Sequence, residues 1–359
     1  MPLTDIDGQR LGDSVADKLG NRNLIINGAM QVAQRGTSAI QIGTGTYNLD
    51  RFRGYDNTDG TFTVQQVTDA PSGFGYSAKV LVTVADSSLA STQQAKFQQR
   101  IEGNAVTQLG LGTSSAETFT LSFYVKSSVT GTYAVGFLNA AGNRSYVATY
   151  SINSASTWEY KTITVQGDTT GTWATDNTTG LNIQWSLGMG TNFEAATGQW
   201  HASEKSHTTS AVDLIGTLNA TWQITGIQLE VGNTATPFEH RRFSDELQRC
   251  QRYYEKSYNY STVAGTASDT GKLAHRKSSQ ASGITDFTVS FSVRKRDNPT
   301  LVVYSPDTGT ASRLYNETDD SDVQASGDNI GETGGHITST ISIGASKYLS
   351  MHYSAEAEL

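Results

Sequence analysis

The side chains able to do chemistry are numerous but thinly spread. Six histidines (His201, His207, His240, His275, His336, His352) include no HExxH pair and no two at the i, i+4 spacing that presents two imidazoles to one zinc ion. His352 falls on the polar parity of its segment and is expected to face solvent. The single cysteine, Cys250, excludes an intramolecular disulfide and a thiolate zinc site; on the apolar stripe of a predicted helix it is expected to be buried and inert. There is no GxSxG elbow, no P-loop, and no GxGxxG turn between a strand and a helix. A glycosidase needs two carboxylates about 5–10 Å apart across a cleft. Asp and Glu here gather in stretches such as TDDSD, where solvated turn chemistry is the ordinary explanation. The expectation is a protein that is not an enzyme.

Two binding chemistries remain. Asp56 and Asp59 in YDNTDGT, and Asp319, Asp320 and Asp322 in TDDSD, are oxygen donors at spacings suited to a structural Ca²⁺. Neither stretch has the EF-hand pattern, and plain turns use the same residues. Trp173, in GDTTGTWATDNTTG, and Trp200, in ATGQWHASEKSH, lie in polar surroundings and are the candidate platforms for stacking a sugar ring. The other role for each is a loop tryptophan capping a core. Trp185 alternates with Leu181, Ile183, Leu187 and Met189 and is expected inside. No cofactor is expected beyond such a Ca²⁺.

The elements that must position these residues are strands. The 359 residues fit about two domains. Abundant Gly (35), scarce Pro (5) and a charged fraction of only 17% suit short strands joined by turns. The 5 Trp, 16 Tyr and 12 Phe argue against disorder. A net charge of -8 speaks against nucleic acid; the basic clusters HRR (240–242) and RKR (294–296) read as solvated surface charge. No apolar run reaches membrane-spanning length, so no membrane insertion is expected, and the polar start does not resemble a secretory signal.

Residues 1–22 are expected to be a leader, either flexible or ordered by something it docks on, whose apolar spacing (Leu11, Val15, Leu19) could make a short helix. From about Asn23 the period is two. ETFTLSFYVKSS aligns Phe119, Leu121, Phe123 and Val125, and YSAKVLVTVA aligns Tyr76, Ala78, Val80, Val82 and Val84. In ATWQITGIQLEVG the apolar parity switches between Ile224 and Ile227, which predicts a β-bulge at Thr225-Gly226. Pro237 ends that strand. A helix follows over 241–256, with Ser244 as N-cap, Asp245 and Glu246 in the first turn, and Leu247, Cys250 or Gln251, and Tyr254 as its apolar stripe. A second β pattern aligns Phe287, Val289, Phe291 and Val293, then Leu349, Met351, Tyr353, Ala355, Ala357 and Leu359. The fold class is therefore all-β: a jelly-roll sandwich over 23–240, a helical joint, and a small β domain over 257–359.

The blocks NRNLIINGAMQVAQRGTS, YNLDRFRGY, QVTDAPSGFGYSAKV, TFTLSFYVKSS, GDTTGTWATDNTTGL and GIQLEVGNTATPFEHRRFSDELQRCQRYYEK, in that order over 21–256, resemble a module of structural and fibre proteins of tailed bacteriophages, including marine and cyanobacterial ones. The resemblance implies a jelly roll similar to carbohydrate-binding modules, with a variable region after CQRYYEK, and carries no set of ligand residues. It implies a virion protein assembled in the host cytoplasm: a fibre or tail-associated appendage that contacts host polysaccharide, anchored to other virion proteins through the leader. Fibres of this kind are often homotrimers, and residues 257–359 would then be the distal, target-facing part. A purely structural decoration, head fibre or collar protein is the alternative, and a glycan depolymerase the third.

Overall fold

The computed structural model describes residues 22–277, 287–339 and 347–359; the expected helix within 1–20 lies outside them. The chain is all-β, and every ladder between its strands is antiparallel. One sheet holds β1 (Ile40–Gln41), β4 (Thr61–Val67), β5 (Ser77–Val84), β7 (Phe119–Ser127), β10 (Glu159–Val165) and β13 (Thr221–Val231), ordered β1-β4-β5-β13-β7-β10. A second holds β2 (Thr46–Tyr47), β3 (Phe52–Asp56), β6 (Gln94–Glu102), β8 (Gly131–Leu138), β9 (Ser145–Ile152), β11 (Thr179–Met189) and β12 (Trp200–His201), ordered β12-β9-β8-β11-β6-β3-β2. The alternating apolar residues of both sheets meet in one core, where Phe97 and Trp222 lie 5.9 Å apart, Phe119 and Phe137 5.4 Å, and Phe123 and Trp185 5.9 Å.

Alternation predicted most faces, and irregular pairing explains the departures. Ala78, Val80 and Val82 are buried, but Val84 is exposed because a bulge opposite Thr61 and Phe62 turns the end of β5 over; Tyr76 precedes the strand and is exposed too. The bulge predicted at Thr225-Gly226 is present between Thr225 and Gln228, with Gly226 at φ 61°. The bulge frees the Ile227 amide, which donates to the Gly28 carbonyl at 3.0 Å, while Asn23 Nδ2 donates to the Ile227 carbonyl at 3.0 Å. That contact corrects the expectation of strands from Asn23. Residues 23–38 are a mostly buried irregular segment, with Leu24, Ile25, Met30 and Val32 in the core or against it and Asn27 and Met30 at positive φ. Its backbone is satisfied by side chains: Asn27 Nδ2 donates to the Val32 and Asp50 carbonyls at 2.8 and 3.0 Å. Gly28 is required there, since a Cβ would sit 2.1 Å from the Ile227 carbonyl oxygen.

The helix is shorter than expected, Phe243–Gln251, and Arg242 rather than Ser244 occupies its N-cap. Glu246 turns inward from the first turn and accepts hydrogen bonds from the Asn27 amide and from Arg241. Cys250 is fully buried, and burial pushes its thiol well above the ordinary range, as an inert packing role requires. Tyr254 does not continue the helical stripe; it opens β14 (Tyr254–Lys256), captured by the last strand of a third sheet. A free sheet edge thus overrides local helical spacing.

The third sheet comprises β14, β15 (Leu273–Lys277), β16 (Phe287–Ser290), β17 (Thr300–Tyr304), β18 (Arg313–Asn316), β19 (Ser321–Gly331), β20 (Gly334–Ser339) and β21 (Lys347–Glu356). Its spine is β21, flanked by β14 and β17 over one half and by β15 and β18 over the other. Leu349, Met351, Tyr353 and Ala355 face its core. β16 stops at Ser290, so Phe291 and Val293 are only half-buried. His352 corrects a further expectation: it is fully buried, stacked on Tyr258 at 3.8 Å and hydrogen-bonded through Nδ1 to Ser257 Oγ (2.9 Å) and Nε2 to the Ser268 carbonyl (2.9 Å). At His352 the polar parity of β21 faces not water but the chain that follows β14.

Each basic cluster is part solvated charge and part joint: His240, Arg242 and Arg294 are exposed as expected, whereas Arg241, Lys295 and Arg296 are held by neighbouring parts of the chain. Arg241 donates to the Asn23 and Ile25 carbonyls, and Arg296 to the carbonyls of Asn177, Ala357 and Glu358. Lys295 is fully buried against Glu255 at 2.7 Å. The last residues of the chain run along the first sandwich: the Glu358 carboxylate pairs with Arg51 and, at 3.3 Å, with Arg35, and the Tyr47 hydroxyl donates to the Leu359 carbonyl at 2.7 Å.

Candidate functional site

The inner face of the β2-to-β12 sheet is the core, and its outer face is polar over β3, β6 and β11. Register places Tyr47, Arg53, Gln98, Gln184, Gly136 and Val147 in one row across β2, β3, β6, β11, β8 and β9. Flanking it on β6 are Lys96 and Arg100, opposite Ser186 and Asn182. The middle of this face is roofed by residues 203–207. Ser206 Oγ donates to Gln184 Oε1 at 2.9 Å, Lys96 Nζ reaches Gln184 at 3.2 Å and Glu204 at 3.4 Å, and Gly136 makes room, since a Cβ there would meet Ser206 Oγ at 2.3 Å. Burial holds the Lys96 ammonium down to about 8.

Under this roof Ser186 Oγ lies 2.8 Å from His207 Nδ1, and His207 Nε2 lies 3.3 Å from Asp213. The residue types are those of a nucleophile, base and orienting acid. Ser186 is, however, only 1% exposed, within a strand rather than on a turn, so a substrate carbonyl has no approach to its oxygen. The trio pins the roof.

The open part of the face is the β6-β3-β2 edge, where the third sheet stands opposite and a cleft of about 620 Å³ opens. Three arginines (Arg35, Arg53, Arg100) and three tyrosines (Tyr47, Tyr254, Tyr304) converge on it. Thr300, Val302, Ser354, Glu356 and Glu358 complete the facing wall. Arg35 is clamped: its guanidinium sits 3.8 Å over the Tyr254 ring and 5.4 Å from Tyr47, and pairs with Glu358 and, at 3.6 Å, Glu356. Beneath the cleft Arg51 covers the Tyr253 ring at 3.4 Å, pairs with Glu358 and donates to the Arg100 carbonyl at 2.5 Å. Burial pushes the Tyr47 hydroxyl up to about 12, so it stays a hydrogen-bonding phenol at any physiological pH. Such a cleft offers flat apolar rings beside fixed donors and acceptors, within the size range of small-ligand sites.

The tryptophans singled out from sequence come together elsewhere. Trp173 and Trp200 pack edge to face at 5.5 Å, with Tyr146 a further 5.4 Å from Trp200. Both lie at the β12 edge on the core side of the sheet; their indole N–H groups donate to the Thr170 and Gln166 carbonyls at 3.1 and 2.8 Å. Trp173 is 9% exposed, and Trp200 is half-buried. The aspartates are dispersed over local partners. Asp56 Oδ1 accepts from the Thr58 amide (3.0 Å) and hydroxyl (2.7 Å), whereas Asp59 offers its amide to Asp86. Asp319 binds Lys347 and Asn316, Asp320 takes the Tyr315 hydroxyl, and Asp322 the Thr308 hydroxyl. Among the described residues no three His, Cys, Asp or Glu side chains are grouped to hold a metal ion. The cleft residues went unread because they are spread over some 300 positions, and only their register unites Tyr47, Arg53 and Arg100.

No protein-family profile and no curated protein matches the sequence. Solved structures with a similar chain path exist. One is the enzymatically active domain of tailspike protein 4 of bacteriophage CBA120, at 14% identity and TM-score 0.31, covering 59% of this chain and 22% of that one. Another is TmCBM61 in complex with β-1,4-galactotriose, at 10% identity and TM-score 0.29, covering 59% of this chain and 99% of that one. The N-terminal cellulose-binding domain of Cellulomonas fimi β-1,4-glucanase C matches at 15% identity and TM-score 0.27, over 54% and 98%. Similarity of this extent leaves function to be read from the site.

Proposed function

We propose that this protein binds a surface polysaccharide through the cleft between its β-sandwich and its third sheet, as an appendage of a tailed-phage virion. The carrying observation is the convergence of the Tyr47 and Tyr304 rings with Arg53, Arg100 and Glu356 on one open cavity. A sugar presents an apolar ring face and a rim of hydroxyls that donate and accept. Tyrosine rings match the first, and guanidinium, carboxylate and hydroxyl groups match the second. The virion setting is supported by the ordered sequence blocks over 21–256.

Screening the full-length protein against host-envelope polysaccharides should give saturable binding. Tyr304→Ala should weaken it at least about tenfold, the loss of one stacked ring, while leaving the melting temperature within a few degrees. Binding that survives this change undiminished would move the site elsewhere. Immunogold labelling of virions with antibodies to residues 23–240 should mark the tail or its fibres; label spread over the capsid would favour a decoration protein.

A further inference from the structure

The cleft's charges are not evenly matched. Arg35 and Arg51 each have a glutamate, but Arg53 and Arg100 have no carboxylate within ion-pair distance among the described residues. This is unexpected in a chain of net charge -8. Both project from the same outer face, Arg53 beside Gln98 and Arg100 two residues further along the same strand, so they are diagonal neighbours. Burial, and then the charge of Arg53, disfavour the protonated form of Arg100, as expected for like charges brought together without a counter-ion. Gly45 leaves the space that Arg53 uses: a Cβ there would lie 2.0 Å from Nη2. The negative groups opposite, Glu356 and Glu358, are occupied by Arg35 and Arg51.

We propose that the cleft selects an acidic glycan, whose carboxylate or sulfate is held by the unpaired guanidinium groups of Arg53 and Arg100. This rests on the reading of the cleft as a sugar site and adds its charge class. A planar guanidinium offers parallel N–H donors to two oxygens of one acid group, and two such forks side by side would offset their mutual repulsion on binding it. The sugar ring then lies toward Tyr47 and Tyr304, with its hydroxyls toward the Glu356 wall.

The test compares each acidic sugar with its own neutral form on the full-length protein. Oligogalacturonate is set against its methyl ester, and a sulfated galactan oligosaccharide against the desulfated one, by titration calorimetry at low salt. One of the two acidic forms should bind at least about tenfold more tightly than its partner, and the pair that shows this identifies carboxylate or sulfate as the group read. The preference should fall with added salt and disappear in Arg53→Gln and Arg100→Gln, while Arg53→Lys retains part of it. Equal binding of acidic and neutral forms would overturn the acidic selection and leave the sugar site standing. Failure of all four to bind would overturn both. The wild-type comparison decides the matter even if an arginine variant does not fold.

Discussion

Raising the pH from 10 to 12 should unfold this protein. Tyr133, Tyr150, Tyr253, Tyr254 and Tyr353 are each 5% exposed or less. Burial is the first cause that raises each hydroxyl, to about 12 for Tyr133 and further for the others; Glu255 adds to it at Tyr353. Unfolded tyrosine ionises near 10. A group whose folded pKa is raised contributes stability that is fully present below its unfolded value and lost as pH climbs toward the folded one. Each such tyrosine costs about 1.4 kcal/mol per pH unit above 10, so five acting together cost about 7 kcal/mol per unit, against a total stability of roughly 5–15 kcal/mol. Lys96 and Lys256 work in the opposite sense. Burial lowers both to about 8 from an ordinary 10.5, so their contribution rises between pH 8 and 10.5. Denaturant midpoints should therefore increase from pH 8 to about 10 and then collapse, with tyrosinate absorbance appearing together with loss of near-ultraviolet circular dichroism. Tyrosinate absorbance rising smoothly from pH 10 while the fold persists would mean that these rings are open to water.

Replacing Glu358 by alanine should cost about 3–5 kcal/mol. Its carboxylate is 3% exposed and faces Arg51, which is 1% exposed, and Arg35, which is 10% exposed. Removing the acid leaves a buried guanidinium without its counter-ion, and that uncompensated charge dominates the cost. Because Glu358 also lines the cleft, the damage should be local in function as well, with glycan binding lost in parallel. The double change Glu358→Leu with Arg51→Met removes both charges and should recover most of the stability, though not the binding. Equal stability of the single and double variants would show that the pair is not coupled as its geometry requires.

The legible parts of this fold were those where one face is apolar and the other free. The strand faces at Phe119–Val125 and Leu349–Ala355, the core position of Trp185, the bulge at Gly226 and the inert Cys250 follow from periodicity and residue type. What could not be read is what covers a polar face. Lys96, Gln98, Asn182, Gln184 and Ser186 alternate with core residues as solvated ones would, yet all are buried, the middle of their row under residues 203–207. His352 deceived in the same way on β21. Arg241 and Lys295 look like surface charge until the carbonyls and the carboxylate that hold them are seen across the joint. The cleft is the extreme case, built from side chains whose only common property in sequence is that strand pairing brings them to one edge.

The central claim is that a glycan occupies the cleft between the two halves, and hydrogen exchange of the full-length protein with and without a saturating glycan tests it most directly. The account predicts slowed exchange in residues 45–55, 94–101 and 300–304, with residues 196–207 unchanged. Protection confined to the strand and loop around Trp200, with the cleft unaffected, would contradict it.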